Sequence, residues 1–291
     1  MRRIIRKGTA VCLALQIILA ALVFSQLYFT AVTFAGEQNP AALKGHNFVL
    51  FGLSGNNSGD DNRSDTIMIV TIDPEGRQIK LTSILRDTKA AIEGHEPQKI
   101  NAAYKYGGAE LALDTLNRNF GLALKDYITV DFATLEQIVD ILDGIELELT
   151  AEEAAIINEY ADEEVSEGWN LLNGEQALLY SRIRKIDSDS IRVQRQQRVI
   201  QEILAKLKDS GFLKWLRCAL KIIETCEISI PLREILQVIR LPFSEYTLVN
   251  NVIPDPAFES EVETMIDEHG EWVWVYDLKK AGERIVDIIN N

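Results

Sequence analysis

The chain has 291 residues, 47% of them apolar and 25% charged, and carries a net charge of −14. That composition is ample for a packed core and argues against disorder over most of the length. The acidic balance argues against a nucleic-acid binder, which shows a basic face; a local basic pocket stays compatible, because salt screens charges beyond roughly 8–10 Å.

The first seven residues, "MRRIIRK", hold four positive charges, and no charged residue follows from Gly8 to Gly36. Residues 8–36 are long enough to cross a bilayer of roughly 30 Å as one helix. Positive charge before the span and acids after it predict a cytoplasmic tail at 1–7 and an extracytoplasmic remainder. A cleavable signal peptide is the competing reading, since "TFAGE" ends in small residues. The apolar stretch exceeds the usual signal-peptide core of 7–15 residues, which favours an uncleaved single-pass anchor.

Residues 37–44 read as a linker, and 45–291 as one mixed α/β domain. "NFVLFGL" is an apolar run bounded by Gly and Asn, the pattern of a buried strand. "TIMIVTI" and "QIKLTSI" flank the turn sequence "DPEGR" and predict a hairpin. "GGAELALDTLNRNFG" predicts a helix ending at Gly121, and "KDYITV" a strand. "DFATLEQIVDILDG" predicts a helix capped by Asp131 and stopped near Gly144, and "GIELELT" a half-buried strand. Residues 151–167, with seven acids and no base, read as a solvated helix face. "NGEQALLY" opens with Asn173 and has Gln176 three positions on, a capping box. "EWVWVYDL" predicts a strand near the C-terminus. Cys218 and Cys226 are a weak signal for a disulfide, and His46, His95 and His269 are too scattered for a zinc site.

"SRIRKIDSDSIRVQRQQR", from Ser181 to Arg198, places six basic residues in eighteen positions of this acidic chain. If the chain extends after Tyr180, Arg182 and Arg184 point one way and Ile183 the other. A new helix then starts near Ser188 or Asp189, with Val199, Ile200, Ile203, Leu204 and Leu207 as its apolar stripe. Stepping back along that stripe reaches Gln196, Arg195 and Arg192. Inward arginines are costly unless paired or facing a ligand-filled cleft, and planar guanidinium groups suit phosphate oxygens. An anion pocket is therefore favoured over a structural ion-pair network. Arg63 and Asp65 in "DDNRSDT", Arg86 and Asp87 in "SILRDT", and Lys99 and Asn101 in "KINAAYKYGG" lie at strand ends or before a helix. A carboxylate beside an anion pocket suits a Mg²⁺ shared with phosphate oxygens.

"NRSDT", "SILRDT", "KINAAYKYGG", "LNGEQALLYSRIRK" and "DSDSIRVQRQQR" together resemble the LytR–CpsA–Psr (LCP) family in order and spacing, from about residue 45 to 207. The resemblance implies an LCP-like α/β domain with helices around a central sheet and an apolar groove for a polyprenyl tail. It implies a membrane-anchored phosphotransferase that moves a glycopolymer from a polyprenyl-pyrophosphate carrier to peptidoglycan. Carried over, Arg63, Arg86, Lys99, Arg182, Arg184, Arg192 and Gln196 look like pyrophosphate binders, and Asp65 like the Mg²⁺ carboxylate. Asp65, Arg63 and Asp87 are the candidate catalytic residues, with either carboxylate a candidate proton acceptor. The family's first loop carries an Asp and an Arg where this chain has Ser54 and Asn56; Asp60 or Asp61 is the candidate replacement. The loss of that Asp makes a non-catalytic polyprenyl-pyrophosphate-binding regulator the alternative, and a pyrophosphatase a third reading.

Overall fold

The computed structural model describes residues 43–53, 62–183, 186, 189–210, 212–231, 233–235, 245–255, 262–267 and 269–291. The expected anchor at 8–36, the tail at 1–7 and most of the 37–44 linker lie outside the described residues, as do Ser54, Asn56, Asp60, Asp61 and Arg184. Among the described residues no helix is long and apolar enough to cross a membrane.

The domain is built on a five-stranded mixed sheet. β1 (His46–Leu53), β2 (Ser64–Asp73) and β3 (Gln78–Ile84) form an antiparallel centre, with the expected hairpin between β2 and β3. β6 (Asp126–Val130) adds in parallel beside β1, and β9 (Thr247–Ile253) in parallel beside β3. Between β3 and β6 the chain makes the short pair β4 (Lys89–Ala90) and β5 (Gln98–Lys99), then α1 (Ala102–Phe120). Strand alternation decides which core each side chain joins. Val49, Phe51, Ile67 and Ile69 face α1 and α7 (Leu278–Asn290), whose Leu116 and Ile285 are fully buried against them. Met68, Val70, Ile72 and Leu81 face the other way, toward Ile200 and Leu204 of α5 (Asp189–Asp209). Burying side chains of this size contributes about 1.5–3 kcal/mol each, so both faces of the sheet hold the layers together.

The local signals are met closely. Asp131 accepts the N–H of Thr134 to cap α2 (Phe132–Ile141), and Gly121 ends α1 in the left-handed region at φ 72°. Asn173 and Gln176 make both halves of a capping box at the start of α4 (Gly174–Arg182). α1 begins one turn before the expected "GG" and kinks there, with Gly108 at φ 64°. β7 (Ile145–Leu149) alternates buried and exposed, and pairs with β8 (Gly168–Leu172) as a separate ribbon.

Two expectations need correction. The acidic run is not wholly a solvated face: Glu153 of α3 (Ala151–Asn158) is buried and reaches Arg195 Nε at 2.8 Å. The chain does not extend after Tyr180; α4 continues to Arg182, and Ile183 follows it into the core. The disulfide signal is weak for a reason: Cys218 and Cys226 are free thiols, Cys218 lies in α6 (Phe212–Thr225), and eight residues of helix separate two positions by about 12 Å, beyond disulfide reach.

Candidate functional site

The described site has two parts that meet at Asp65. The first is a cavity of about 490 Å³ between the sheet and α5. Phe48 and Leu50 of β1 and Val70 of β2 form one wall, and Ile200, Ile203, Leu204 and Leu207 the opposite one. At the polar end stand Asp65, Thr66, Arg182, Arg192 and Gln196. The sheet approaches itself closely there: a Cβ on Gly52 would lie 2.8 Å from Thr66 Cβ, so glycine keeps the wall intact. A second apolar chamber, of about 190 Å³, shares Phe48, Ile128 and Ile222 with the first.

Helical period explains how α5 supplies this wall. Arg192, Gln196, Val199, Ile203 and Leu207 recur at three- and four-residue steps and all line the cavity. Arg192 is 2% exposed. The Oε1 of Gln196 is buried and meets no donor among the described residues. The neighbouring face of α5 is structural: Gln197 Nε2 donates to Ser83 Oγ at 2.9 Å and to the Asn251 carbonyl at 2.8 Å, pinning the helix to the sheet. Arg195 faces Glu153, and Arg198 donates to the Tyr180 hydroxyl at 3.2 Å. The six-residue basic cluster thus divides between the two readings it allowed. Arg192 and Arg182 line the cavity, whereas Arg195 and Arg198 hold the fold; Arg184 and Lys185 are outside the described residues. Arg182 also lies over the Phe132 ring, 4.4 Å from its centroid, a cation–π contact that orients the guanidinium.

The second part is a run of alternating charges leading away from Asp65. Arg86 Nη1 donates to Asp65 Oδ1 at 2.6 Å, and Arg86 Nε lies 3.5 Å from Asp87 Oδ2. Asp87 Oδ1 holds Lys99 Nζ at 2.9 Å, and Lys99 reaches Glu271 Oε2 at 3.3 Å. Arg63 Nη1 stands 3.6 Å from the same Glu271 oxygen. These residues come from the ends of β2 and β3, from β5, and from the turn between β10 (Glu263–Ile266) and β11 (Trp272–Val275). Backbone bonds set the spacing: Ile100 N–H donates to the Thr88 carbonyl at 2.8 Å and Trp274 N–H to the Asp87 carbonyl at 2.9 Å. The Thr88 hydroxyl and the Tyr276 phenol are 3.0 Å apart, and burial raises the Tyr276 pKa, so this link stays protonated. Asn101 does not cap α1 with its side chain; its Nδ2 points to Asp65 Oδ1 at 3.4 Å.

Arg63, Asp65, Arg86, Asp87 and Lys99 are thus brought into one cluster, and Arg182, Arg192 and Gln196 into one cavity mouth with Asp65. Glu271 was missed from sequence. Its only local signal is the turn "DEHGE", more than 170 positions from Lys99. Among the described residues no group of three or more His, Cys, Asp or Glu side chains is arranged to hold a metal ion. Asp65, partly exposed at the mouth, is a carboxylate of the kind that shares Mg²⁺ with phosphate oxygens.

Comparison with known proteins gives consistent neighbours. The LytR_cpsA_psr family model matches residues 30–276. The polyisoprenyl-teichoic acid–peptidoglycan teichoic acid transferase TagU of Enterococcus faecalis is 36% identical over 163 residues, 53% of this chain and 52% of that protein. The chain spans about half the length of the curated relatives it matches. The solved structure of TagT bound to LIIa-WTA has a TM-score of 0.70 at 21% identity, over 91% of this chain and 98% of that one. YwtF (TagT) with bound octaprenyl pyrophosphate lipid has a TM-score of 0.66 at 20% identity, over 90% and 96%. These two likenesses establish a shared fold.

Proposed function

The chain belongs to the LytR_cpsA_psr family, and from that premise we propose that it transfers a glycopolymer from a polyprenyl-pyrophosphate carrier to peptidoglycan. One observation carries the reading. An apolar cavity lined by eight elements, β1, β2, β3, β6, α2, α4, α5 and α6, ends in Asp65, Arg182, Arg192 and Gln196, a lipid-shaped space with an anion-binding mouth. The names of the relatives, which specify polyprenyl-linked teichoic acid and a bound octaprenyl pyrophosphate, support the same substrate class.

In this reading the isoprenoid tail lies between β1, β2 and α5, and the diphosphate sits at the mouth. Arg182, Arg192 and Gln196 contact it from the helical wall, and Arg86, Lys99 and Arg63 from the strand ends. A peptidoglycan hydroxyl attacks the phosphorus bonded to the polymer, the bond from that phosphorus to the bridging oxygen breaks, and polyprenyl phosphate leaves. The hydroxyl proton passes to a carboxylate, for which Asp65 is the candidate that lines the mouth. Asp87 acts differently. Nearly buried between Lys99 and Arg86, it holds those cations in place. Asp65 would hold a Mg²⁺ ion, which would supply positive charge to offset the charge developing on the transferring group. Placement outside the cytoplasm, on the single-pass anchor at 8–36, belongs to the same proposal.

The test uses the full chain in lipid nanodiscs with a polyprenyl-pyrophosphate-linked saccharide and peptidoglycan oligomers, with Mg²⁺ or EDTA, followed by mass spectrometry. Metal-dependent polyprenyl phosphate release with saccharide on peptidoglycan is the expected result. Release without transfer identifies a pyrophosphatase, and tight binding without either product a carrier-binding regulator. The last outcome would trace to Ser54 and Asn56 in the first loop.

A further inference from the structure

Arg63 and Lys99, two of the cations assigned to the diphosphate, already meet a carboxylate. A single oxygen of Glu271 lies 3.6 Å from Arg63 Nη1 and 3.3 Å from Lys99 Nζ. One anionic oxygen spanning a guanidinium and an ammonium is the contact that a phosphate oxygen makes.

The carboxylate is delivered by a rigid turn. Asp267 Oδ1 accepts the N–H groups of His269 at 2.9 Å and Glu271 at 2.8 Å, and the Asp267 N–H donates back to the Glu271 carbonyl at 2.8 Å. Gly270, at φ 76°, allows the turn to close. The hairpin is then tied to the Asp87 loop through Trp274. The backbone of Glu271 is therefore fixed while its side chain remains 38% exposed, with room to swing away.

We infer that Glu271 is a built-in anionic occupant of the diphosphate site. It holds Arg63 and Lys99 in place while the site is empty of substrate and yields them when the diphosphate arrives. The ion pairs stand by themselves; the identity of the competing anion rests on the proposed function. Binding then exchanges the Glu271 carboxylate for phosphate oxygens at both cations, while Asp87 stays on Lys99. After transfer, the polyprenyl monophosphate spans fewer cations than the diphosphate did, and Glu271 returns against it. The residue is thus a positioning and specificity element that favours diphosphate over monophosphate.

The experiment titrates inorganic pyrophosphate and inorganic phosphate into the detergent-solubilised full chain and its E271Q and K99A variants by calorimetry. E271Q keeps the side chain's size and one acceptor oxygen. It is expected to bind pyrophosphate about three- to tenfold more tightly than the parent, the effect of removing two partly exposed ion pairs. The gain should shrink at high salt, and E271Q should discriminate less between pyrophosphate and phosphate. In turnover, KM and kcat both fall, because substrate is held better and product leaves more slowly. A merely structural Glu271 predicts the opposite sign, weaker binding with a lowered Tm. Equal or weaker pyrophosphate binding by E271Q overturns the inference. Weaker binding by K99A establishes the anion site separately, so that an unchanged E271Q then overturns the Glu271 role alone. Failure of parent and E271Q alike to bind pyrophosphate overturns both readings.

Discussion

Two arginines three positions apart on one helix have opposite employment. Arg195 is 3% exposed and locked to Glu153; Arg192 is 2% exposed and lines the cavity mouth. Removing one partner of a buried ion pair strands the other charge and costs about 3–5 kcal/mol. Glu153→Ala is therefore expected to lower unfolding free energy by about that amount in urea titration. Arg192→Ala should weaken polyprenyl-pyrophosphate binding by at least about tenfold, the scale of a charge-assisted contact to phosphate, with a smaller fall in Tm than Glu153→Ala. If Arg192→Ala binds normally and Glu153→Ala does not, the roles are reversed. Sequence already placed Arg192 and Gln196 on the inward stripe, because helical period fixes which residues share a face. It left open that Arg195 meets Glu153, which lies 42 positions away on another helix.

At the scale of elements, α5 does three jobs on three faces: Gln197 anchors it to the sheet, Arg195 to α3, and its apolar stripe walls the cavity. Ile200→Trp adds bulk to that wall. The variant should weaken octaprenyl pyrophosphate binding by about tenfold or more while leaving inorganic pyrophosphate unaffected, because overpacking acts on the tail alone. Equal losses for both ligands would show that the tail does not occupy this space. The β10–β11 turn carries its own pH dependence. Burial by itself would raise the Asp267 carboxyl, but the N–H groups of Glu271 and His269 outweigh it and hold the pKa below the usual carboxylate value. A depressed folded pKa stabilises above the unfolded value and loses that contribution as pH falls through the folded one. The Tm difference between parent and Asp267→Asn, present at pH 6, should close progressively below about pH 4. A difference that persists at pH 3 would mean that the turn does not depend on the carboxylate charge.

At the scale of the whole domain, the N-terminal and C-terminal parts are tied by one buried cation. Lys80 of β3 is 2% exposed and donates to the Ile289 carbonyl at the end of α7 at 3.0 Å, with Asp73 at 3.8 Å. A cation at a helix C-terminus meets both the unpaired carbonyls and the negative end of the helix dipole. Lys80→Ala should cost about 3–5 kcal/mol, since it leaves Asp73 and the helix end without this charge, and the loss should appear in a single cooperative unfolding transition. A separate early transition would mean instead that α7 detaches as its own unit. The site has the same long-range construction: residues 63, 65, 86, 87, 99, 182, 192, 196 and 271 converge on the ends of the central strands.

Much of the fold was legible locally. The apolar run of β1, the alternation along β7, the "DPEGR" turn, the Asp131 and Asn173 caps and the left-handed Gly121 each follow from forces that act within a few residues. The same locality explains why three motifs, "NRSDT", "SILRDT" and "KINAAYKYGG", sufficed to pick out most of the charged cluster: each sits at or beside a strand end. Packing alone settled who neutralises whom. Glu153 within an acidic run, and Glu271 in an unremarked turn, acquired cationic partners because α3 and the β10–β11 hairpin dock where they do. Periodicity orients a side chain relative to its own helix or strand; the charge it meets depends on elements brought near by burial of apolar faces elsewhere.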